Sequence, residues 1–532
     1  MIKKLPIGIS TFSKIIKNNY IYVDKTKHIY EMVSTGEVYF LSRPRRFGKS
    51  LLVSTLEELF QGNKDLFKDL YIYDKWDWTE EHPVIHLDFG NIDYETSETL
   101  KLSLEDFVMK IADKYDIAIK NRFLNSKFSE LIEKICEKTG KKVVVLIDEY
   151  DKPIIDCMKS IEVANKNRDI LSDFYQVLKA NDEHLRFLFL TGVSKFAKTS
   201  IFSKLNNLDD ITLDETSAGI CGYTQKELET CFHEQIKQIS SEKNVSTDKL
   251  LSLIKEWYNG YSWNGKLFLY NPFSILSFFK KKEFGNYWFG TGTPTFLINI
   301  IQKENNGDMS IFLNPVASFA GSFPDFDINQ LNLTTTLLQT GYLTIKDKKA
   351  ELGESPVYEL AIPNKEVDES FYSYLLGAYV NKSAGTLQPL VKKMVKYLLM
   401  ADEEGLTNTL ETLLASIPYQ LHSQVKKNEA FYHILFLSWM RAMGFDIQGE
   451  VQTNKGRIDV ILRQKEQIVV IEIKYSENKE VNKLLDDAMD QIMKTEYYKP
   501  YQDQNVILLA IAFKEENMEV GCRIKTNTDI IN

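Results

Sequence analysis

Arg43-Pro44-Arg45-Arg46-Phe47-Gly48-Lys49-Ser50 stands between two stretches of opposite periodicity. Upstream, Glu37 to Ser42 (EVYFLS) reads as a short strand; downstream, Ser50 to Phe60 (SLLVSTLEELF) puts its apolar residues on one helical stripe. A glycine-bearing loop between strand and helix aims successive backbone N–H groups and a helix N-terminus at an anion. Gly48 then allows close approach, and Lys49 neutralises β/γ-phosphate charge. Ser50 offers a hydroxyl to Mg²⁺, a cation that keeps several waters and takes few protein ligands. The stretch departs from GxxxxGK[ST] at the first glycine, which falls on Arg43 followed by Pro44, so the loop must turn differently there.

A second motif supports the same fold. Lys141 to Tyr150 (KKVVVLIDEY) carries an unbroken apolar run, Val143 to Ile147, followed by Asp148-Glu149. Such a run reads as a parallel strand buried on both faces. Ligands of doubly wound sheets bind beyond the carboxyl ends of the strands, where both acids would fall. Asp148 is the expected Mg²⁺ partner and Glu149 the expected general base for the attacking water. Pro83 to Phe89 (PVIHLDF) and Leu185 to Thr191 (LRFLFLT) add strands to this sheet. Thr191, leading into Gly192-Val193-Ser194, is either a γ-phosphate contact or a cap or turn residue.

Residues from about Leu5 to Asp209 resemble the bacterial AAA-ATPase-like family that carries an RPRRFGKS loop. Tyr22-Val23-Asp24-Lys25-Thr26, Leu146-Ile147-Asp148-Glu149-Tyr150-Asp151 and Thr191-Gly192-Val193-Ser194-Lys195-Phe196 carry the likeness further, and the missing first glycine is itself a family trait. The resemblance implies ATP binding by Gly48, Lys49 and Ser50, with Asp148 and Glu149 serving hydrolysis. Phe47 belongs to the same cofactor-binding loop. Arg45 and Arg46 are open between three roles: contacting phosphate, acting as arginine fingers across a subunit interface, or packing the loop.

From about Ile211 to Gln424 the sequence is helical and aromatic-rich, with turns at Tyr258-Asn259-Gly260-Tyr261 and Tyr270-Asn271-Pro272-Phe273. Leu333 to Gln339, Gly341 to Lys346 (GYLTIK) and Pro356 to Ile362 (PVYELAI) suggest a helix leading into a β-hairpin, a pattern that suits a winged helix. Such a module either docks on DNA or serves as a structural lid.

Near the C-terminal end, Gly456-Arg457-Ile458-Asp459 precedes Glu472-Ile473-Lys474. A symmetric hairpin turning at Gln464-Lys465-Glu466-Gln467 would set Asp459 directly opposite Glu472, on one face of the sheet. Alternation then gives one face, with Ile458, Val460, Leu462, Val469, Ile471 and Ile473, to the core and the other to Asp459, Glu472 and Lys474. Half-buried carboxylates need a cation or a partner. The pair would hold Mg²⁺ or Mn²⁺, with Lys474 positioning the nucleophile or stabilising developing charge; a surface cross-strand ion pair would show the same spacing.

Residues from about Glu429 to Phe513 resemble a PD-(D/E)XK nuclease domain, which in the family commonly trails the ATPase domain. The resemblance assigns Asp459 and Glu472 as metal ligands and Lys474 as the catalytic lysine. Glu429 matches the accessory acid, though a glutamate at a helix start also complements the helix dipole. Gln491 would touch substrate or pack on its helix.

The chain of 532 residues is too long for one hydrophobic core, and its 44% hydrophobic content can fill several. Three domains are expected: an AAA-like P-loop ATPase domain at 1–210, a helical and winged-helix region at 211–424, and a nuclease-like α/β domain at 425–532. A net charge of −9 does not exclude nucleic acid bound in a local basic groove. The five cysteines lack CxxC spacing, and no run approaches the roughly 20 apolar residues that cross a membrane. These features lead us to expect a cytoplasmic hydrolase that uses ATP and Mg²⁺, associates as a homo-oligomer and cleaves nucleic acid, DNA before RNA. The alternative is a nucleotide-dependent regulatory or interaction protein whose nuclease-like domain binds without cleaving.

Overall fold

The computed structural model describes residues 3–196, 205, 207–288, 318–320, 332–380, 384–416, 428–441, 445–453, 456–464, 467–501, 503–516 and 518–526. The chain divides into two units: residues 1–292 with 318–365, and residues 293–317 with 366–532. The stretch 211–424 is thus shared between them.

The first unit is built on a parallel sheet of β1 (Val38–Ser42), β2 (Val84–Asp88), β3 (Val143–Asp148), β4 (Leu185–Gly192) and the short β5 (Asp209–Asp210), in the order β2-β3-β4-β1-β5. All six residues of β3 are buried, as its unbroken apolar run requires of a central parallel strand. Helices α1 (Phe12–Lys17) and α2 (Thr26–Thr35) precede the sheet, and α3 (Lys49–Phe60) follows β1 through the Arg43–Gly48 loop. Helices α4 (Ser97–Lys114), α5 (Leu124–Thr139) and α7 (Ile161–Ala180), with the one-turn α6 (Lys152–Ile155), complete the layers. Leu100, Leu104, Leu131 and Phe174 close over Val143, Val145 and Ile147 in one core.

A second core of this unit joins the N-terminal stretch to four helices: α8 (Gln225–Cys231), α9 (His233–Lys243), α10 (Thr247–Tyr258) and α11 (Pro272–Lys281). Ile21 and Val23 pack with Phe232, Ile254, Tyr258 and Phe278. The expected helix and hairpin follow as α12 (Leu333–Thr340), β7 (Thr344–Lys349) and β8 (Val357–Ala361), and β6 (Ser318–Ala320) pairs with β8 to make three antiparallel strands.

In the second unit, α13 (Lys365–Val380, whose first residue closes the first unit), α14 (Ala384–Leu399) and α15 (Glu403–Leu414) precede α16 (Glu429–Arg441). Strands β9 (Asp446–Thr453), β10 (Gly456–Gln464) and β11 (Gln467–Ser476) form an antiparallel meander. After α17 (Val481–Thr495), β12 (Asn505–Lys514) pairs parallel with β11, and β13 (Glu519–Thr526) closes the sheet in the order β13-β12-β11-β10-β9. Gln464 pairs with Gln467 and Val460 with Ile471, which is the expected hairpin register.

The division into a core face and a site face does not hold. Ile461, Ile468 and Val470, which share a face with Asp459 and Glu472, pack against Leu484, Leu485, Ala488 and Met489 of α17. Val460, Leu462, Val469 and Ile471 on the opposite face are fully buried as well. The two acids therefore lie in a sheet covered on both sides.

Candidate functional site

At the phosphate loop, Gly48 takes φ 98° and Arg46 φ 68°, both left-handed, so the backbone curls before α3 begins at Lys49. Lys49 is buried, and its Nζ donates to the carbonyls of Arg43 (3.0 Å) and Pro44 (3.1 Å). Burial lowers its pKa, against the opposing pull of Asp148 and Asp151. Ser50 donates its hydroxyl to Asp148, whose pKa burial raises against that bond and against Lys49. The hydroxyl and carboxylate expected to share a cation are thus brought together.

The position of the missing glycine has a definite occupant. The Arg43 guanidinium turns away from the loop and is fully buried. It donates to the carbonyls of Ser42 (2.8 Å), Thr212 (2.8 Å) and Ser217 (3.3 Å) and lies 4.4 Å from the Trp263 ring centre. Burial pulls its pKa down to about 10. Phe47 is buried too, against Tyr261 and Trp263. Arg46 lies over the Phe273 ring, and Arg45 reaches Asp156 at 3.6 Å.

Glu149 also holds a left-handed φ of 54°, and its carboxylate pairs with Lys152 at 2.8 Å. A non-glycine residue there stores about 1–3 kcal/mol of strain. The hydroxyl of Thr191 donates to the Leu41 carbonyl at 2.8 Å inside the sheet, so this donor is committed away from the loop.

Sequence reasoning missed three residues here. Asp88 ends β2 beside Asp148 and brings a further carboxylate to the strand ends; the acid closing PVIHLDF was the available signal. Lys152 fixes Glu149. Asp151, fully buried, accepts from the N–H groups of Val193 (3.0 Å) and Ser194 (2.6 Å), and a Cβ on Gly192 would stand 2.4 Å from its Oδ1. Beside Gly48 opens a mainly apolar pocket lined by Ile21, Tyr22, Val23, Leu51 and Ile220.

In the second unit the β10–β11 pairing ends at Val460 with Ile471, and Asp459 and Glu472 are the next residue on each strand, close enough for Asp459 to act on the Glu472 carboxyl. Asp459 is 8% exposed and Glu472 not at all. Asp459 Oδ2 accepts from Ile473 N–H at 2.9 Å, while Lys474 Nζ donates to Glu472 Oε1 at 2.8 Å. Burial first, and Asp459 second, push the Glu472 carboxyl well above the usual carboxylate range. Its Oε2 is buried without a hydrogen-bond partner. An orphaned carboxylate oxygen beside a second carboxylate fits a hard divalent cation, which would supply the missing partner.

Glu429, expected among the metal ligands, lies instead 4.0 Å from Lys474 Nζ. Among the described residues no three ligating His, Cys, Asp or Glu side chains converge. Burial works against the Lys474 charge, but Glu472 and Glu429 outweigh it and raise its pKa. Gln491 is half-buried on α17.

Comparison with known proteins places a family match over each of the two regions. Residues 6–202 match the family model described as predicted AAA-ATPase, and residues 427–522 match that of the PD-(D/E)XK nuclease superfamily. The chain is 36% identical over 521 residues to a protein of Azotobacter chroococcum mcd 1 named "Uncharacterized protein in vnfD 5'region", covering 97% of this chain and 98% of that one. No helix among the described residues is long and apolar enough to cross a membrane.

Proposed function

Because the chain belongs to the AAA-ATPase-like family and carries a PD-(D/E)XK nuclease superfamily domain, we propose that it is an ATP-regulated, metal-dependent nuclease. The observation that carries the nuclease half is Glu472, a fully buried carboxylate with one oxygen unpartnered, beside Asp459 and hydrogen-bonded to Lys474. Leaving one of its oxygens buried and unpaired costs about 1–3 kcal/mol or more, which a site built only for stability would avoid. Asp459 and Glu472 would hold Mg²⁺ or Mn²⁺, and the bound cation would polarise a phosphodiester and make water more acidic. Lys474, kept cationic by Glu472 and Glu429, stabilises the charge that develops on the phosphate.

In the other half, Gly48, Lys49 and Ser50 receive the phosphates of ATP, and the apolar pocket beside Gly48 receives its base. Lys49 exchanges its two loop carbonyls for phosphate oxygens. Ser50 and Asp148 would hold Mg²⁺, and Glu149 would orient the attacking water on leaving Lys152. ATP would act on cleavage through the elements that touch the loop. Trp288 Nε1 donates to the Arg45 carbonyl, and Gly341, the C-terminal cap of α12, lies against Pro44.

The test is cleavage of labelled single- and double-stranded DNA and RNA with Mg²⁺ or Mn²⁺, with and without ATP. Wild type is compared with Glu472→Ala and Lys49→Ala. Cleavage that disappears in Glu472→Ala, and whose ATP response disappears in Lys49→Ala, supports the reading. ATP hydrolysis without cleavage of any substrate would leave a regulatory protein whose nuclease-like domain only binds.

A further inference from the structure

Glu149 is held in the left-handed region, and a non-glycine residue stays there only where its surroundings over-determine it. The chain on either side shows what holds it. Before the turn, Asp148 Oδ1 accepts from the Glu149 N–H at 2.9 Å. After it, the Tyr150 N–H donates to the Thr191 carbonyl at 3.2 Å, and the Tyr150 hydroxyl donates to the Ser194 carbonyl at 2.8 Å. Asp151 adds two ties through one atom: its Oδ2 accepts from both the Val193 and the Ser194 N–H.

The end of β4 that these ties grip is itself fixed to the phosphate loop. The Arg43 N–H donates to the Gly192 carbonyl at 3.1 Å, and the Ser42 hydroxyl donates to the Val193 carbonyl. Gly192 leaves the space in which Asp151 lies, since a Cβ there would overlap Asp151 Oδ1 and the Tyr150 ring. Asp151 and Ser194 are both buried, so this N–H needs the carboxylate as its acceptor. The residue aimed by this turn is Glu149, whose Oε2 would lie 3.2 Å from a Cβ on Gly90, just past the end of β2. Without the pull of Asp151 the turn could relax to an ordinary φ at Glu149, and the carboxylate would swing away from the strand ends.

Resting on the reading of Glu149 as the group that orients the attacking water, we propose that Asp151 is a positioning residue for ATP hydrolysis: its carboxylate pins the chain to the end of β4 and so keeps Glu149 in the left-handed conformation that presents its carboxylate beyond the strand ends. A misplacement of about 1 Å in a reacting group costs up to about 100-fold in rate.

The experiment measures kcat and KM for ATP hydrolysis, and binding of a fluorescent ADP analogue, by the full chain. Wild type is compared with Asp151→Ala, Asp151→Asn, Gly192→Ala, Glu149→Gln and the double variant Glu149→Gln/Asp151→Ala. Expected in Asp151→Ala is a kcat lower by about 10–100-fold with nucleotide affinity at the wild-type level. Both N–H groups bond to one oxygen, which asparagine also offers, so Asp151→Asn should recover most of the rate. Gly192→Ala crowds the carboxylate without removing it and should repeat the loss, which keeps the test open where the Asp151→Ala chain does not fold. Because Asp151 acts through Glu149, removing it should cost nothing further in the Glu149→Gln background. Wild-type kcat in Asp151→Ala overturns the proposal. A further drop in the double variant, or a loss of nucleotide affinity as large as the loss of rate, also overturns it, because Asp151 would then serve the fold rather than Glu149. Wild-type hydrolysis by Glu149→Gln would instead bring down the reading of Glu149 itself.

Discussion

Gly341 rests directly on Pro44: a Cβ added at Gly341 would stand 2.8 Å from Pro44 Cβ and 3.3 Å from the Trp288 ring. Gly341 also takes φ 92°, so the C-terminal cap of α12 reaches the phosphate loop only because it lacks a side chain. Gly341→Val therefore meets both backbone strain, about 1–3 kcal/mol, and a clash with the loop. The expected result is about tenfold weaker ATP binding and a lower melting temperature for the first unit, read by nucleotide titration and calorimetry. Unchanged ATP affinity would show that this contact does not bear on the loop.

Arg43 makes a sharper case, because the general motif would place glycine there. Its guanidinium joins Ser42, Thr212 and Ser217 and covers Trp263, so restoring the glycine removes a buried hub rather than improving the loop. Arg43→Gly should lose about 3 kcal/mol or more in urea unfolding, since three buried carbonyls lose their donor. ATP binding should weaken at least tenfold with it. A glycine variant that binds ATP as well as wild type would remove Arg43 from any role in shaping the loop.

The strand, loop and helix around Gly48 were legible because each has its own period and the loop residues are adjacent in the chain. Arg43 was legible only as a departure: its partners Thr212, Ser217 and Trp263 are far away in sequence, and no local pattern points to them. The β10–β11 register from Gln464 with Gln467 to Val460 with Ile471 was legible because a hairpin's geometry is symmetric about its turn. Which face is buried was not, since Ile468-Val469-Val470-Ile471 has no alternation and α17 covers the face of the acids. The direction of the Thr191 hydroxyl was not legible either. A hydroxyl at a strand end satisfies itself on the nearest carbonyl, here Leu41, and nothing in the sequence says which way it turns.

Asp151 gives the first unit a pH dependence. Burial raises its pKa from an ordinary 3.8 to about 6, although it accepts two backbone N–H groups. The folded chain then holds more protons than the unfolded one between these values. Stability from this group is complete below about pH 4 and is lost as pH rises to about 6. Burial raises Asp148 in the same sense. Asp151→Asn keeps the site neutral throughout. Urea unfolding without nucleotide should show the variant gaining on wild type by up to about 3 kcal/mol between pH 4 and pH 7. A difference that stays constant over that range would mean Asp151 keeps its ordinary pKa.

Glu429 separates two roles that the sequence left open. It lies 4.0 Å from Lys474 Nζ with its side chain 48% exposed, outside the Asp459/Glu472 pair. A half-exposed ion pair contributes about 1 kcal/mol at most, which corresponds to roughly fivefold in rate. Glu429→Gln should therefore slow cleavage no more than about fivefold and leave Mn²⁺ affinity unchanged, whereas Glu472→Gln should reduce both to background. Because Lys474 loses a neighbouring carboxylate, the alkaline limb of the rate profile should also move to lower pH in Glu429→Gln. If Glu429→Gln abolished Mn²⁺ binding, the acid would swing into the cation site when the metal binds, and the ligand set would be three carboxylates rather than two.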